Sequence, residues 1–147
     1  MTDEIPHEHL RPENCISFRL RRTARAAAKQ FDDALRPAGI RNTQFTLLAM
    51  LHHLGEASVS DLCERPGVDE PTPHRNLDGI FHRGLVENVS AEDARFRITR
   101  LTDRGKVILD QALPLWRSTQ SQLLAKLRDG SWTDILLSLQ KIERACD

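Results

Sequence analysis

Hydrophobic residues recur at steps of three and four along most of the chain, which indicates amphipathic helices. Residues 13–36 carry one such apolar stripe, and Pro37 and Gly39 follow it as residues that end a helix. The next segment, residues 44–55, is apolar enough to form a buried helix, with Thr43 as its N-cap. The first third of the chain is therefore predicted to form two helices joined by a tight corner.

The C-terminal third shows the same spacing. A long helix is predicted for residues 104–128, starting after Asp103 and bent near Pro114. Ser131 is the expected cap of a final helix that runs to about residue 145. The stripe of this last helix consists of Ile135, Leu136, Leu139 and Ile142. Because the preceding elements offer this stripe no apolar partner, it favours association with a second copy of the chain.

Two short helices are predicted in the middle of the chain. The first lies within residues 57–68, is capped by Ser58 and ends at Pro66-Gly67. The second has Thr72 as its N-cap and Pro73 at its first helical position, where a missing N–H is tolerated. Its buried stripe consists of Leu77, Ile80, Phe81 and Gly84. Two short helices joined by a glycine-containing turn indicate a helix-turn-helix, whose second helix enters the DNA major groove.

Two strand-like segments follow the second helix. Residues 85–89 read as a strand, and residues 95–101 read as its hairpin partner. In the second strand Phe96 and Ile98 alternate with the arginines Arg95, Arg97 and Arg100, as in a half-exposed hairpin. Helix, turn, helix and hairpin together predict a winged helix. The expected fold class is mainly α with a small β-hairpin wing, an α+β arrangement.

The second short helix has a polar outer face. At 100° per residue, Arg75, Gly79 and His82 lie opposite the buried stripe. The forked donors of Arg75 suit guanine edges or phosphates, while Asn76 suits an adenine edge or a phosphate about equally. Gly79 would let a partner approach closely. This face is therefore the candidate for contact with DNA bases.

Several segments resemble the MarR family of bacterial transcription regulators in their order and spacing. They are "SVSDLCERPGV", "HRNLDGIFHRGLVE" and "ITRLTDRGK", and "LRRTARAAAKQFDDALRPAGIRNTQFTLLAML" is similar to the family's first two helices. The resemblance implies one domain over residues 1–147, with the winged helix at about 38–104 and dimerisation helices at about 13–36 and 105–146. It also implies a homodimer that binds double-stranded DNA as a repressor, released by a small-molecule effector or by thiol oxidation.

The resemblance extends to the wing. Arg95 aligns with the arginine of the family's wing pattern, and Asp93 precedes it as expected. A salt bridge between Arg95 and Asp93 that only shapes the hairpin is an equal alternative. Thr72 could offer its backbone N–H to a phosphate. The candidate DNA-binding residues are Thr72, His74, Arg75, Asn76, Gly79, Arg95 and Arg97.

The charge balance opposes simple DNA binding. Lys and Arg number 21 and Asp and Glu also number 21, so a basic face must come from local clusters. One cluster at the wing consists of Arg95, Arg97, Arg100, Arg104 and Lys106. However, Glu92 stands where the resembled family usually carries a wing-tip arginine, and Asp78 where a basic residue is common. The alternative is therefore a MarR-like dimeric interaction module with weak or lost DNA binding.

Cys15 is a candidate redox sensor. It begins the first predicted helix, and Arg19 and Arg22 follow on the same face, where positive charge favours the reactive thiolate. Family members that sense organic hydroperoxides hold a reactive cysteine in this helix, and the resemblance implies that Cys146 of a second subunit lies nearby. A packed thiol without redox function is the competing interpretation.

The resemblance also implies an effector. Small aromatic acids or their thioesters commonly bind such regulators between the dimerisation helices and the winged helix. In this chain that region would include Arg22, His53 and Trp116.

Other function classes lack their signatures. No apolar run approaches the roughly 20 residues of a membrane span, and the first residues lack a signal-peptide core, so a cytoplasmic protein is expected. No Gly-rich phosphate loop, paired carboxylates or nucleophile elbow is present, so no enzyme is expected. The histidines lack ligand-spaced neighbours, so neither a metal nor a cofactor is expected.

Overall fold

A computed structural model of the chain describes residues 6–64, 72–89, 98–127 and 131–146. These residues form a mainly helical structure with a small sheet. The helices are α1 (Ile16–Leu35), α2 (Asn42–Leu54), α3 (Val59–Glu64), α4 (Thr72–His82), α5 (Asp103–Leu127) and α6 (Ser131–Cys146). The strands are β1 (Glu56–Ser58), β2 (Val86–Asn88) and β3 (Ile98–Leu101). The order confirms the winged helix-turn-helix predicted from the sequence.

The corner between α1 and α2 is held by contacts that are not local in sequence. After α1, a single 3-10 turn leads to Gly39, whose φ of 71° is in the left-handed region that suits glycine. Asp32 of α1 accepts a hydrogen bond from the backbone N–H of Asn42 at 2.7 Å. The N-cap predicted at Thr43 is therefore wrong. Thr43 lies inside α2, because Asp32 satisfies a donor at the helix start.

The core of the winged helix surrounds α2. Leu47, Leu48 and Leu51 of this helix are fully buried, and they pack in one cluster with Leu77 and Ile80 of α4. The stripe predicted for α4 is thereby confirmed at its first two positions, whereas Phe81 is half-buried and Gly84 is exposed in the turn after the helix. Because α2 contributes four buried residues to this cluster, more than any other element, it is the element on which the helix-turn-helix is built.

The hairpin is extended by a third strand that the sequence did not predict. The sheet is antiparallel in the order β1-β3-β2, so that the wing strand β3 lies in the middle. Thr99 and Leu101 face the core, whereas Arg100 is exposed. The predicted alternation is therefore corrected: Ile98 and Arg100 share one face of the strand, and the buried residues are Thr99 and Leu101.

The long helix α5 starts at the sheet. The hydroxyl of Thr102 accepts a hydrogen bond from Gly105 N–H at 3.0 Å and donates one to the carbonyl of Gly84 at 2.6 Å. Thr102 is thus the N-cap, and α5 begins at Asp103, one residue before the predicted start at residue 104. A Cβ at Gly105 would overlap the carbonyl oxygen of Leu85, so only glycine allows this close packing. The start of α5 is consequently fixed against the corner that follows α4.

The two terminal helices are less covered. Ile16 and Phe18 of α1 are 60% and 39% exposed, and Trp132, Leu136 and Leu137 of α6 are also exposed. Only the last two turns of α1 bury large side chains, at Phe31 and Leu35. No described helix is apolar over a stretch long enough for a membrane crossing. These five exposed apolar residues lie in the helices that the sequence assigned to dimerisation.

Candidate nucleic-acid interface

Helix α4 presents three distinct faces. Leu77 and Ile80 hold it against the core, while Arg75, Asp78 and His82 are exposed. A third set is half-buried: Asn76 and Gly79 on one flank of the helix, and Arg83 directly after its last residue. The exposed line is therefore narrower than the sequence indicated, and it contains one arginine, one aspartate and one histidine.

The half-buried flank of α4 packs on the corner between α1 and α2. A Cβ at Gly79 would lie 3.2 Å from the side-chain nitrogen of Gln44, so the close approach at this glycine is made by α2. Arg83 donates a hydrogen bond from Nη1 to the carbonyl of Gly39 at 2.6 Å. Gly79 was predicted on the outer face, and the structure corrects that position. Its small size serves the packing of α4 within the chain.

Arg75 and Asn76 differ in accessibility. Arg75 is exposed on α4 and can reach a partner outside the chain, whereas Asn76 is half-buried. The side chains of Thr72 and His74 lie outside the described residues, although their backbone belongs to α4. Of the predicted residues of this helix whose side chains are described, Arg75 is therefore the best placed to contact a base or a phosphate.

The wing arginine Arg100 is held by carboxylates on both neighbouring strands. Its register partners are Glu56 on β1 and Glu87 on β2. Arg100 Nε donates to Glu87 Oε1 at 2.8 Å, and its Nη1 lies 3.8 Å from Glu56 Oε1. The hydrogen bond to Glu87 and the charges of both carboxylates raise the pKa of the Arg100 guanidinium. Arg100 therefore ties three strands together, which the predicted basic cluster did not anticipate.

The remaining members of that cluster divide into two groups. Lys106 forms an ion pair with Asp103 at 3.2 Å, and Arg104 is exposed. Arg95, Arg97 and the acidic residues predicted at the wing tip lie outside the described residues. Within the part of the wing that is described, ion pairs thus reduce the positive charge available for DNA.

Four basic residues around the α1–α2 corner were missed as a functional group. Arg25, Lys29, Arg36 and Arg41 line a cleft of about 690 Å³. Asp33 forms ion pairs there with Arg36 and, at 3.0 Å, with Lys29. The hydrogen bond from Lys29 and the charges of Lys29 and Arg36 lower the pKa of the Asp33 carboxyl. The sequence signal was the placement of Arg36 and Arg41 on either side of the turn "PAGI".

The residues predicted for regulation are not gathered in one described cavity. Trp116 is partly buried and stacks on Phe45 and Phe31, with ring centroids 5.5 Å and 6.4 Å apart. Arg22 and His53 are exposed, and the cleft at the corner is lined by other residues. Within a single chain, Trp116 therefore joins α1, α2 and α5 as a packing residue.

Both described cysteine side chains are exposed thiols. Cys15 immediately precedes α1, and Cys146 ends α6. Among the described residues, no group of three or more His, Cys, Asp or Glu side chains is placed to hold a metal ion. The side chain of Cys63 lies outside the described residues.

Sequence relatives of the chain are transcription regulators. No family model matches it. It is 24% identical over 114 residues to the uncharacterised HTH-type transcriptional regulator YwoH of Bacillus subtilis, covering 78% of this chain and 83% of that protein. It is 29% identical over 90 residues to the regulator YdgJ of the same organism, covering 60% and 55% of the two chains.

Solved structures give a closer match. The transcriptional regulator MosR of M. tuberculosis, crystallised in complex with DNA, is 35% identical, with a TM-score of 0.77 over 90% of this chain and 96% of that one. MarR of E. coli, crystallised with operator DNA, shares the fold at 20% identity and a TM-score of 0.77, over 95% and 99% of the chains. The chain has this fold, and its sequence is similar to that of MosR over nearly its whole length. It therefore belongs to the MarR family of winged helix-turn-helix transcription regulators.

Proposed function

We propose that the protein is a homodimeric repressor that binds a pseudopalindromic operator. The observation that carries this proposal is the exposed line of α4 on a helix anchored by Leu77 and Ile80. A rigidly held helix with a free polar face is what entry into a major groove requires. Each of two α4 helices would occupy one groove, with half-sites about one helical turn apart.

Arg75 is the residue we assign to the groove. Its exposed guanidinium suits either the O6 and N7 atoms of guanine or two phosphate oxygens. His74, Thr72 and the wing residues Arg95 and Arg97 remain predictions for further contacts. Asn76 would reach only a phosphate at the edge of the groove, since it is half-buried on the flank of α4.

The first experiment selects genomic fragments with the purified protein at low salt. Recovery of a shared pseudopalindrome would support the proposal, and binding of the selected site would then be compared for wild type and Arg75→Ala. We expect Arg75→Ala to cost about 1–3 kcal/mol on the selected site and to relax its specificity if Arg75 reads a base. Arg117→Ala, which removes an exposed arginine on α5, is the matched control.

The dimer would form through α1 and α6. Their exposed apolar side chains, among them Ile16, Phe18 and Leu137, need a partner of the same character. A second copy supplies that partner by twofold symmetry, with residues 13–36 and 105–146 as the dimerisation helices. A protein of this kind would act on chromosomal DNA in the cytoplasm.

Regulation by a small ligand is the first of two proposed modes. The regulator CouR, which shares the fold at 22% identity with a TM-score of 0.79, covering 96% of this chain and 99% of that one, was crystallised with p-coumaroyl-CoA. A small aromatic acid or thioester could act here near Arg22, His53 and Trp116. Fluorescence of Trp116 in a Trp132→Phe background would report binding, and loss of operator affinity at the same ligand concentration would connect binding with release.

Thiol oxidation is the second proposed mode. An organic hydroperoxide would oxidise the Cys15 thiolate to a sulfenic acid and be reduced to its alcohol. A thiol such as that of Cys146 from the second subunit would then attack the sulfenic sulfur, forming a disulfide and releasing water. Non-reducing gels and operator binding of wild type and Cys15→Ser, before and after peroxide, test this mode. Equal responses of the two proteins would remove Cys15 from regulation.

A dimeric interaction module without DNA binding is the second candidate. It is favoured by the exposed Asp78 on α4 and by the ion pairs that occupy Arg100. The fragment selection separates the two candidates. A dimer that recovers no DNA even at low salt would support the interaction module and contradict the repressor.

A further inference from the structure

We propose that the α1–α2 corner is a second DNA contact, at which Arg36 and Arg41 bind the phosphate backbone beside the groove entered by α4. We call the four basic residues of this corner, Arg25, Lys29, Arg36 and Arg41, the corner patch. The inference rests on the proposed DNA binding and adds a backbone site that does not depend on the wing.

The corner patch carries excess positive charge. Its four cations face two carboxylates, those of Asp32 and Asp33, in the same cleft, a difference of +2. Asp33 is shared between Lys29 and Arg36, and Asp32 accepts a hydrogen bond from the backbone of Asn42 at 2.7 Å. The carboxylates therefore offset only part of the charge, in contrast to Arg100 on the sheet, which lies between two glutamates.

The position of the corner patch follows from its contacts with α4. Arg83, the residue that follows α4, donates to the carbonyl of Gly39, which lies between Arg36 and Arg41 in the turn. Gln44, three residues after Arg41, touches Gly79 in the middle of α4. The turn that carries the two arginines is therefore packed along the flank of the helix proposed to enter the groove.

That flank faces the wall of the groove. A helix with its side chains is roughly 10–12 Å across, and the major groove is about 12 Å wide. An element packed on the side of the inserted helix must therefore lie against one of the two sugar-phosphate strands. Phosphate contacts of this kind fix the register of the protein on the duplex without reading sequence.

The side chains of the corner patch are exposed to solvent, which favours binding of a nucleic-acid backbone over binding of an enclosed small anion. The side chains of Lys29 and Arg36 are 81% and 78% exposed, and Arg41 is also exposed. Exposed arginines and lysines of this type bind phosphates at the surface of a duplex and release counterions as they do so. We therefore assign the corner patch to the operator backbone.

The test is the salt dependence of binding by Arg41→Gln. The substitution should remove one phosphate interaction from each subunit and two from the dimer. The slope of log Kobs against log salt concentration should therefore become shallower by about 2. Affinity should fall by the same factor on the selected operator and on random duplex, because a backbone contact carries no sequence information. Arg41→Lys should retain most of the slope, and the control Arg117→Gln should retain all of it.

The outcomes separate this inference from the proposed function. If wild type binds the operator and Arg41→Gln keeps both its affinity and its slope, the corner patch is not a DNA contact. If Arg41→Lys loses as much slope as Arg41→Gln, the charge of Arg41 is not what binds, and the inference also fails. Absence of wild-type binding to any duplex would instead overturn DNA binding itself. Equal thermal midpoints of the variants would show that the corner is still folded.

Discussion

The winged-helix core and the terminal helices contrast sharply in how they use apolar residues. In the first region Leu47, Leu48 and Leu51 of α2 are buried against α4 within one chain. In the second, α6 has no buried residue among those described, and Leu137 is 50% exposed. One region thus completes its core alone, whereas the other leaves apolar surface that the proposed dimer would cover. The stability of the terminal helices should accordingly depend on protein concentration.

The largest expected effect is on the winged-helix core. Leu48→Ala should lower the free energy of unfolding by about 3 kcal/mol, because it opens a cavity at a fully buried position. The matched variant Leu137→Ala should cost less than about 1 kcal/mol when the protein is dilute. Denaturant unfolding measured at two protein concentrations checks both values. Equal losses for the two leucines at low concentration would contradict the contrast between the regions.

The second prediction concerns the exposed face of α6. Leu136→Ser combined with Leu137→Ser should convert the dimer to a monomer, because both leucines are exposed within one chain. A monomer can occupy only one half-site, so operator affinity should fall by about a hundredfold. Sedimentation velocity and a binding titration measure the two effects, with Gln122→Ser on α5 as a surface control. A dimer that survives the double substitution would place the interface elsewhere.

A smaller effect is expected where the two regions join. Thr102→Ala removes the hydroxyl that caps α5 and bonds the carbonyl of Gly84. The expected loss is about 1 kcal/mol of unfolding free energy. Thr102→Ser, which keeps the hydroxyl, should recover most of that loss. Thermal or denaturant unfolding provides the measurement, and equal losses in the alanine and serine variants would exclude the cap as the cause.

The smallest effect is a pH dependence at the corner patch. The folded-state pKa of Asp33 is lowered, first by its hydrogen bond from Lys29. Asp33 therefore contributes stability above its ordinary pKa of 3.8, and this contribution is lost as the pH falls through the folded-state pKa. The stability difference between wild type and Asp33→Asn should be constant near neutral pH and shrink in acid. A pH-independent difference for Asp33→Asn would rule out this ion pair as its source.

Local patterns predicted the elements well because each is encoded by its own residues. The stripe of α4 appears in the spacing of Leu77 and Ile80, and the cap Ser58 accepts a hydrogen bond from the N–H of Asp61 at 3.0 Å, as its sequence position indicated. Strand β1 was missed because three residues are too few to show the alternation of apolar and polar positions that marks a strand.

The interface was harder to predict because it depends on contacts between distant segments. The packing of Gly79 on Gln44 and the bond from Arg83 to Gly39 join residues more than thirty positions apart, and no periodicity reports them. The pairing of Arg100 with Glu56 and Glu87 depends on strand register in the same way. The sequence therefore identified Arg75 as a candidate but could not distinguish Arg100, which is held between two glutamates, from the exposed Arg41 of the corner patch.

The close packing of Gly105 on Leu85 gives α5 the mechanics of a lever. With 25 residues at 1.5 Å each, α5 is roughly 37 Å long. Its first turn is pressed against the backbone that follows α4, so this end serves as the fulcrum. A tilt of about 5° there displaces the far end, where α6 begins, by roughly 3 Å over this length. Small rotations beside α4 are thereby amplified into ångström-scale shifts of the opposite end of α5.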